Sequence, residues 1–229
     1  MAEKKEPKDK VEEGEIERTI EKEMESKEGL LIPAENYLRA GVHIGTRILH
    51  HHMKPFVYKK REDGIFILDI NQTDKRIRQA ASLLAHYRPE EVLVTASRTY
   101  SSLVSVKLGQ VTGMNTIRGR FIPGTLTNKK LPFFKEPSIL LVSDPRAESV
   151  AVKEAAVMNI PVVALCDTDN SLDYVDFAIP TNNKGKKAIA MVYFLLARSY
   201  MVSKGLVKDF SDFKHTLLSF EEAGEEGQE

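Results

Sequence analysis

The sequence predicts a doubly wound α/β domain: a mostly parallel sheet with helices on both faces. Two patterns point there. Short uninterrupted apolar runs, such as Glu91-Val-Leu-Val-Thr-Ala96 and Pro161-Val-Val-Ala-Leu165, read as strands buried on both sides. Between them lie segments with apolar residues at helical spacing. Alternation of this kind calls for a sheet covered from both sides by helices.

Taken in order, residues 35–40 read as a short helix stopped by Gly41. Residues 56–58 and 65–68 read as strands joined by the turn-forming Glu62-Asp63-Gly64. Asn71, with Asp74 three positions on, resembles a capping box for a helix carrying Ile77, Ala81 and Leu84 and ending before Pro89. Residues 91–96 are a buried strand, 101–112 a helix, 138–142 a strand and 147–158 a helix. Strands at 161–165 and 175–179 follow. A final helix over 184–204 places Ile189, Val192, Tyr193, Leu196 and Tyr200 on one face. Ligands of such folds gather beyond the carboxyl ends of the strands, so the loops 97–100, 118–130, 143–148, 167–173 and 180–187 are the ones to inspect.

The 229 residues suit one domain with tails. The sequence opens MAEKKEPKDK with no apolar leader, and its longest apolar run, 188–197, is too short to cross a bilayer. A soluble protein is expected. The single cysteine, Cys166, excludes an intramolecular disulfide and fits a reducing cytoplasm.

Charge divides the chain into three parts. Residues 1–29 hold 7 Lys and Arg against 11 Asp and Glu, a net of −4, and residues 209–229 hold 1 against 7, a net of −6. The body between them, 30–208, holds 25 against 15, a net of +10. A basic body favours polyanionic partners through counterion release, although a solvated surface gives the same count. The first tail is rich in Glu and Lys and can form helix over 11–27, but it lacks the apolar surface to fold alone. The last tail is expected to be disordered from about Ser219.

The loop Ile117-Arg-Gly-Arg-Phe-Ile-Pro-Gly-Thr-Leu-Thr-Asn-Lys-Lys130 is the most informative segment. Glycine lets backbone approach a phosphate, and arginine grips phosphate oxygens with a planar fork. Arg118, Arg120, Lys129 and Lys130 are therefore candidate RNA contacts, against the alternative of incidental charge on a loose loop. With no strand or helix pattern, little inside the protein is expected to hold this loop. Pro180-Thr-Asn-Asn-Lys-Gly-Lys-Lys187 enters a helix N-terminus, where free amides and Lys184, Lys186 and Lys187 suit an anion; a capped helix with solvated lysines is the plain alternative. No nucleotide-cradling glycine motif is present.

Asp167-Thr-Asp169 could hold Mg²⁺ for phosphoryl chemistry, but these residues are also ordinary turn formers, and the turn is the favoured reading. In Asp144-Pro-Arg146, Asp144 can cap the next helix and Arg146 can reach outward. His50, His51 and His52 follow one another with His43 upstream. Adjacent residues share neither a helical nor a strand face, and no cysteine or carboxylate lies at matching spacing, so no metal is expected there and a loop that touches RNA is preferred. No nucleophile motif appears, and Cys166, beside a buried strand, is expected to be inert.

Seven segments, taken together and in order, resemble the universal small-subunit ribosomal protein two family in its archaeal and eukaryotic form. They are Ala40-Gly-Val-His-Ile-Gly45, Met53-Lys-Pro-Phe56, Gly64-Ile-Phe-Ile-Leu-Asp69, Gly119-Arg-Phe-Ile-Pro-Gly-Thr-Leu-Thr-Asn128, Asp144-Pro-Arg146, Ile160-Pro-Val-Val-Ala-Leu-Cys-Asp-Thr168 and Tyr174-Val-Asp-Phe-Ala-Ile-Pro-Thr-Asn-Asn183. They span about residues 30–207. The resemblance implies a flavodoxin-like domain on the solvent side of the small subunit, near the junction of head and body. It also implies contacts to small-subunit ribosomal RNA and neighbouring ribosomal proteins. The sequence departs from bacterial members between Gly45 and Met53, where it is shorter and lacks Trp-Asn-Pro. It departs again after Lys129, where no helical hairpin is inserted before Pro137. Bacterial partner contacts are therefore not carried over, and nothing here supports the cell-surface roles reported for eukaryotic relatives.

The reading that results is a non-enzymatic, cytoplasmic ribosomal protein with no cofactor, no membrane and no small-molecule substrate. It would bind RNA through Arg98, Arg118, Arg120, Lys129, Lys130, Arg146, Lys184, Lys186 and Lys187. Its rivals are a Mg²⁺-dependent phosphotransferase or hydrolase built on Asp167 and Asp169 with Asp144 and Lys184, and a sugar-phosphate binding module using the 180–187 loop.

Overall fold

The computed structural model describes residues 29–225. The helix anticipated at 11–27 lies outside the described residues, as does the end of the C-terminal tail. The chain enters through helix α1 (Ala34–Ala40), which ends at Gly41 as anticipated. A 3₁₀ turn (His51–Phe56) leads into an antiparallel hairpin of β1 (Val57–Lys60) and β2 (Phe66–Leu68).

Helix α2 (Ile70–Ala85) starts two residues earlier than the capping box implied. Its N-cap is Asp69, whose carboxylate accepts from the Asn71 amide at 2.9 Å. Asp74 is buried within the helix instead. It accepts from the Leu31 amide at 2.8 Å and the Tyr37 hydroxyl at 2.7 Å, and pairs with Arg78 at 2.8 Å. The residue read as a cap thus fastens the incoming chain and α1 to α2.

The main sheet is built from β3 (Val92–Ala96), β4 (Asn115–Arg118), β5 (Ile139–Val142), β6 (Val162–Cys166) and β7 (Phe177–Pro180). All neighbours are parallel, in the order β4-β3-β5-β6-β7. Relabelled from the first of these strands, that is 2-1-3-4-5, the flavodoxin order. Helix α3 (Thr99–Thr112) follows β3, α4 (Ser149–Val157) follows β5, and α5 (Lys186–Ser203) follows β7. Strand β4 escaped the sequence pattern because Asn-Thr-Ile-Arg is polar. It is an edge strand whose residues are all at least partly exposed.

Alternate strand residues feed two cores, as the period of two requires. Val92, Val94, Leu141 and Leu165 face a core shared with α1, α2, α3 and α5. Leu93, Leu140, Val142 and Ala164 face a second core shared with α4, Met53 and Phe56. Helix α5 is buried almost all round, beyond the single face anticipated. A helix apolar on every side needs cover on every side. Neighbours α2 and α3 flank it, and α6 (Leu217–Glu225) packs against both α3 and α5. The expectation of disorder from Ser219 therefore fails over 219–225. Phe220 is fully buried in the first core, and Gly224 lies so close to the Tyr100 ring that any Cβ there would collide with it.

Candidate nucleic-acid interface

All five parallel strands deliver their carboxyl ends to one edge. The topological switch point falls between β3 and β5, where doubly wound folds open a ligand crevice. Here the crevice is occupied by the protein's own side chains. Arg98 enters from the β3 side and bonds Asp144, just past β5, at 2.6 and 3.1 Å. The other Asp144 oxygen accepts from Asn170 at 3.1 Å and from the Arg146 amide at 3.0 Å. Glu148 accepts from the Ser97 amide at 2.7 Å and the Asp144 amide at 2.9 Å, tying both loops together. Asp144 thus organises its own loop, and Glu148, rather than Asp144, stands at the N-cap of α4. Burial pushes the Glu148 carboxyl up to about 7, against the opposing pull of its two backbone bonds.

The acidic turn is equally committed. Lys184 bridges Asp167 at 3.1 Å and Asp169 at 2.7 Å, while Arg146 reaches Asp169 at 3.3 Å. Asp167 also accepts from its neighbour, the Thr168 amide, at 2.6 Å. Burial raises its pKa, and Lys184 counteracts that. Asn170 accepts from the Asp167 amide at 2.7 Å and from Asn183 at 2.9 Å, joining the loops after β6 and β7. Each carboxylate is held by internal cations and amides, and among the described residues neither Asp167 nor Asp169 belongs to a metal-competent cluster. Cys166 is fully buried, and burial pushes its thiol pKa upward, as the sequence suggested for an inert side chain.

The long loop after β4 behaves differently from expectation. It is fastened from inside. Phe121 and Leu126 are buried in the second core, where a crossover helix would otherwise sit. Glu154 of α4 accepts from the Gly124 and Leu126 amides, at 2.5 and 3.0 Å. The Lys135 amide donates to the Thr125 carbonyl at 2.8 Å. Gly124 takes φ +91, a turn conformation that suits glycine. Two apolar anchors five positions apart match neither strand nor helix period, so the sequence pattern could not reveal them.

The nine candidate cations divide by environment. Arg98, Arg146 and Lys184 are paired with the buried or half-buried carboxylates of the crevice. Lys129 pairs with Glu136 at 2.9 Å on the surface. Lys186 lies 5.7 Å from the centre of the Tyr100 ring. Arg118, Arg120, Lys130 and Lys187 are exposed and make no ion pair with another described residue. Strand register places Arg98, Arg118, Arg120, Arg146 and the lysines at 184, 186 and 187 on one edge of the sheet. Lys129 and Lys130 lie further along the same long loop. At the start of α5, Asn182 accepts from the Lys184 and Gly185 amides at 3.0 and 2.9 Å, so part of the anion-binding potential of that terminus is used internally. Sequence reasoning missed Glu148, Glu154, Asn170 and Asn183. Only three-dimensional proximity distinguishes them from ordinary surface residues.

The chain thus presents a flavodoxin-ordered sheet whose crevice is filled by its own side chains and whose rim carries cations. Comparison with known proteins gives its family. A family model described as ribosomal protein S2 matches residues 37–131 and 132–203. The chain is 45% identical to the small ribosomal subunit protein uS2 of Thermoplasma acidophilum over 194 residues, covering 85% of this chain and 98% of the relative. It is 46% identical to the uS2 of Picrophilus torridus over 194 residues, covering 85% and 97%. The uS2 of Methanococcus maripaludis is 46% identical over 190 residues, covering 83% and 86%. The chain belongs to the ribosomal protein S2 family, whose members are structural and non-enzymatic.

Proposed function

We propose that this protein is a structural constituent of the small ribosomal subunit that binds small-subunit ribosomal RNA with the carboxyl edge of its sheet. Neighbouring ribosomal proteins would contact the remaining surface, in the cytoplasm. The observation that carries this reading is the gathering of cations from the loops after β3, β4, β5 and β7 on one edge, with Arg118, Arg120 and Lys187 exposed there. Such groups suit phosphate oxygens, which fix position without reading sequence. Among the described residues, no helix is long and apolar enough to cross a membrane.

The test is sedimentation of the tagged chain with the small subunit from a cell lysate, alongside the variant R118A/R120A. The wild type is expected in the subunit fraction and the variant depleted from it. RNA affinity of the purified chain should fall by about tenfold or more for a few-fold rise in salt, as neutralising several phosphates requires. A wild-type chain that stays at the top of the gradient would sink the reading.

A further inference from the structure

Three consecutive histidines normally diverge, because neighbouring residues project in different directions from both helix and strand. The backbone here removes that obstacle. His50 is extended, with φ −77 and ψ 144, and the 3₁₀ turn begins at His51. The change of direction folds the three rings together. Their centroids are 4.6 Å apart for His50 and His51, 4.9 Å for His50 and His52, and 3.8 Å for His51 and His52. One ligand nitrogen from each ring lies within 4.8 Å of the others. The sequence argument against a metal, that adjacent rings share no face, does not survive this geometry.

The turn is fixed by its backbone. The His50 amide donates to the Thr168 carbonyl at 2.8 Å, and the Met53 amide to the His50 carbonyl at 3.0 Å. Within it, His50 Nδ1 is buried and has no hydrogen-bond partner among the described residues. A buried imidazole nitrogen without a partner costs free energy that a ligand can recover. His51 is exposed, so the cluster opens to solvent. His50 also lines a cavity of about 500 Å³ with Asp169, Asp173 and Tyr174.

We propose that His50, His51 and His52 form a binding site for a borderline divalent transition-metal ion of the zinc class. Neutral imidazole is a favoured ligand for Zn²⁺, Ni²⁺ and Cu²⁺. Tetrahedral coordination at about 2.0–2.1 Å places ligand nitrogens roughly 3.3 Å apart, so side-chain torsions must close the cluster slightly. His52 Nδ1 now accepts from the Leu172 amide at 3.2 Å. On binding, His52 exchanges that long hydrogen bond for the metal. The fourth position is taken by water or by a carboxylate, and Asp173 is in electrostatic contact with all three rings.

The experiment titrates Co²⁺ into the full-length chain and follows its visible d–d absorption, with Zn²⁺ as competitor. One equivalent of Co²⁺ per chain, displaced by Zn²⁺, is expected. His51→Ala, at an exposed position, should leave folding intact and weaken binding at least tenfold. His86→Ala, remote from the cluster, should not change it. No saturable Co²⁺ uptake, or uptake unchanged in His51→Ala, would overturn the proposal.

Discussion

Arg98 and Asp144 meet at 2.6 Å across the carboxyl ends of β3 and β5, closing the place where this fold class usually receives a ligand. The two partners are unequal. The Asp144 side chain is 2% exposed and that of Arg98 43%. Asp144→Asn keeps one acceptor for Asn170 and the Arg146 amide but turns an amide donor toward Arg98. A loss of about 1–3 kcal/mol is expected. Arg98→Ala should cost more, because it leaves the buried aspartate charge without its cation, whereas the half-exposed Arg98 left by Asp144→Asn can turn to water. Urea denaturation of both variants checks this ordering, and equal losses would contradict it.

The loop after β4 separates packing from binding. Phe121→Ala and Leu126→Ala should each cost about 2–5 kcal/mol, since both side chains fill the second core. R118A/R120A should change stability by under roughly 0.5 kcal/mol and yet weaken RNA binding. Paired measurements of melting temperature and RNA affinity would show the split. If the arginine variant melts several degrees lower, its side chains are packing elements.

Glu148 makes stability depend on pH. Its folded pKa of about 7 exceeds the ordinary 4.5, so folding takes up a proton between these values. Its contribution is fully present below the unfolded pKa and is lost as pH rises through about 7, a change on the order of 3 kcal/mol. His43, pushed down to about 4 mainly by burial, acts oppositely. Its contribution is present above 6.5 and is lost as pH falls toward 4. The two slopes oppose each other below pH 6.5 and leave Glu148 dominant above it. Stability curves of wild type and Glu148→Gln from pH 5 to about 8 should approach each other at low pH, differ in slope up to about 7 and run parallel above it. Curves parallel throughout would rule out this assignment.

Replacing Asp167 and Asp169 by Asn tests the acidic turn. Lys184 loses both carboxylates and Arg146 loses one. The stability cost is expected to stay within about 1–2 kcal/mol, because relief of a buried charge offsets part of the lost pairing. RNA affinity should rise and its salt dependence steepen, since two cations are released at the proposed interface. Filter binding at several salt concentrations measures it. An unchanged salt slope would mean that Lys184 and Arg146 do not reach RNA.

The sequence revealed what periodicity encodes. The strands 92–96, 139–142 and 162–166 are runs of apolar residues, and every one of their residues is buried. Helices α2 and α5 were legible from their spacing, and Gly41 from its role as a stop. What stayed hidden was cooperative. Asn115-Thr-Ile-Arg118 becomes a strand only because β3 offers it an edge. Leu217 and Phe220 become helical anchors only because α3 and α5 leave a trough between them. The site followed the same division. Loop positions and charge were readable, whereas the pairing of Arg98, Arg146 and Lys184 with particular carboxylates is a product of the tertiary fold.

The placement of Phe220 sets an order of events during synthesis. Every strand of the sheet has been translated well before this side chain emerges, yet the first core is closed by it. Until α6 docks, the outer surfaces of α3 and α5 that it covers face water. A chain at the stage where its sheet is assembled and this last helix is undocked has one flank bare and sticky. That stage is where a chaperone or an early RNA contact would have the most to shield.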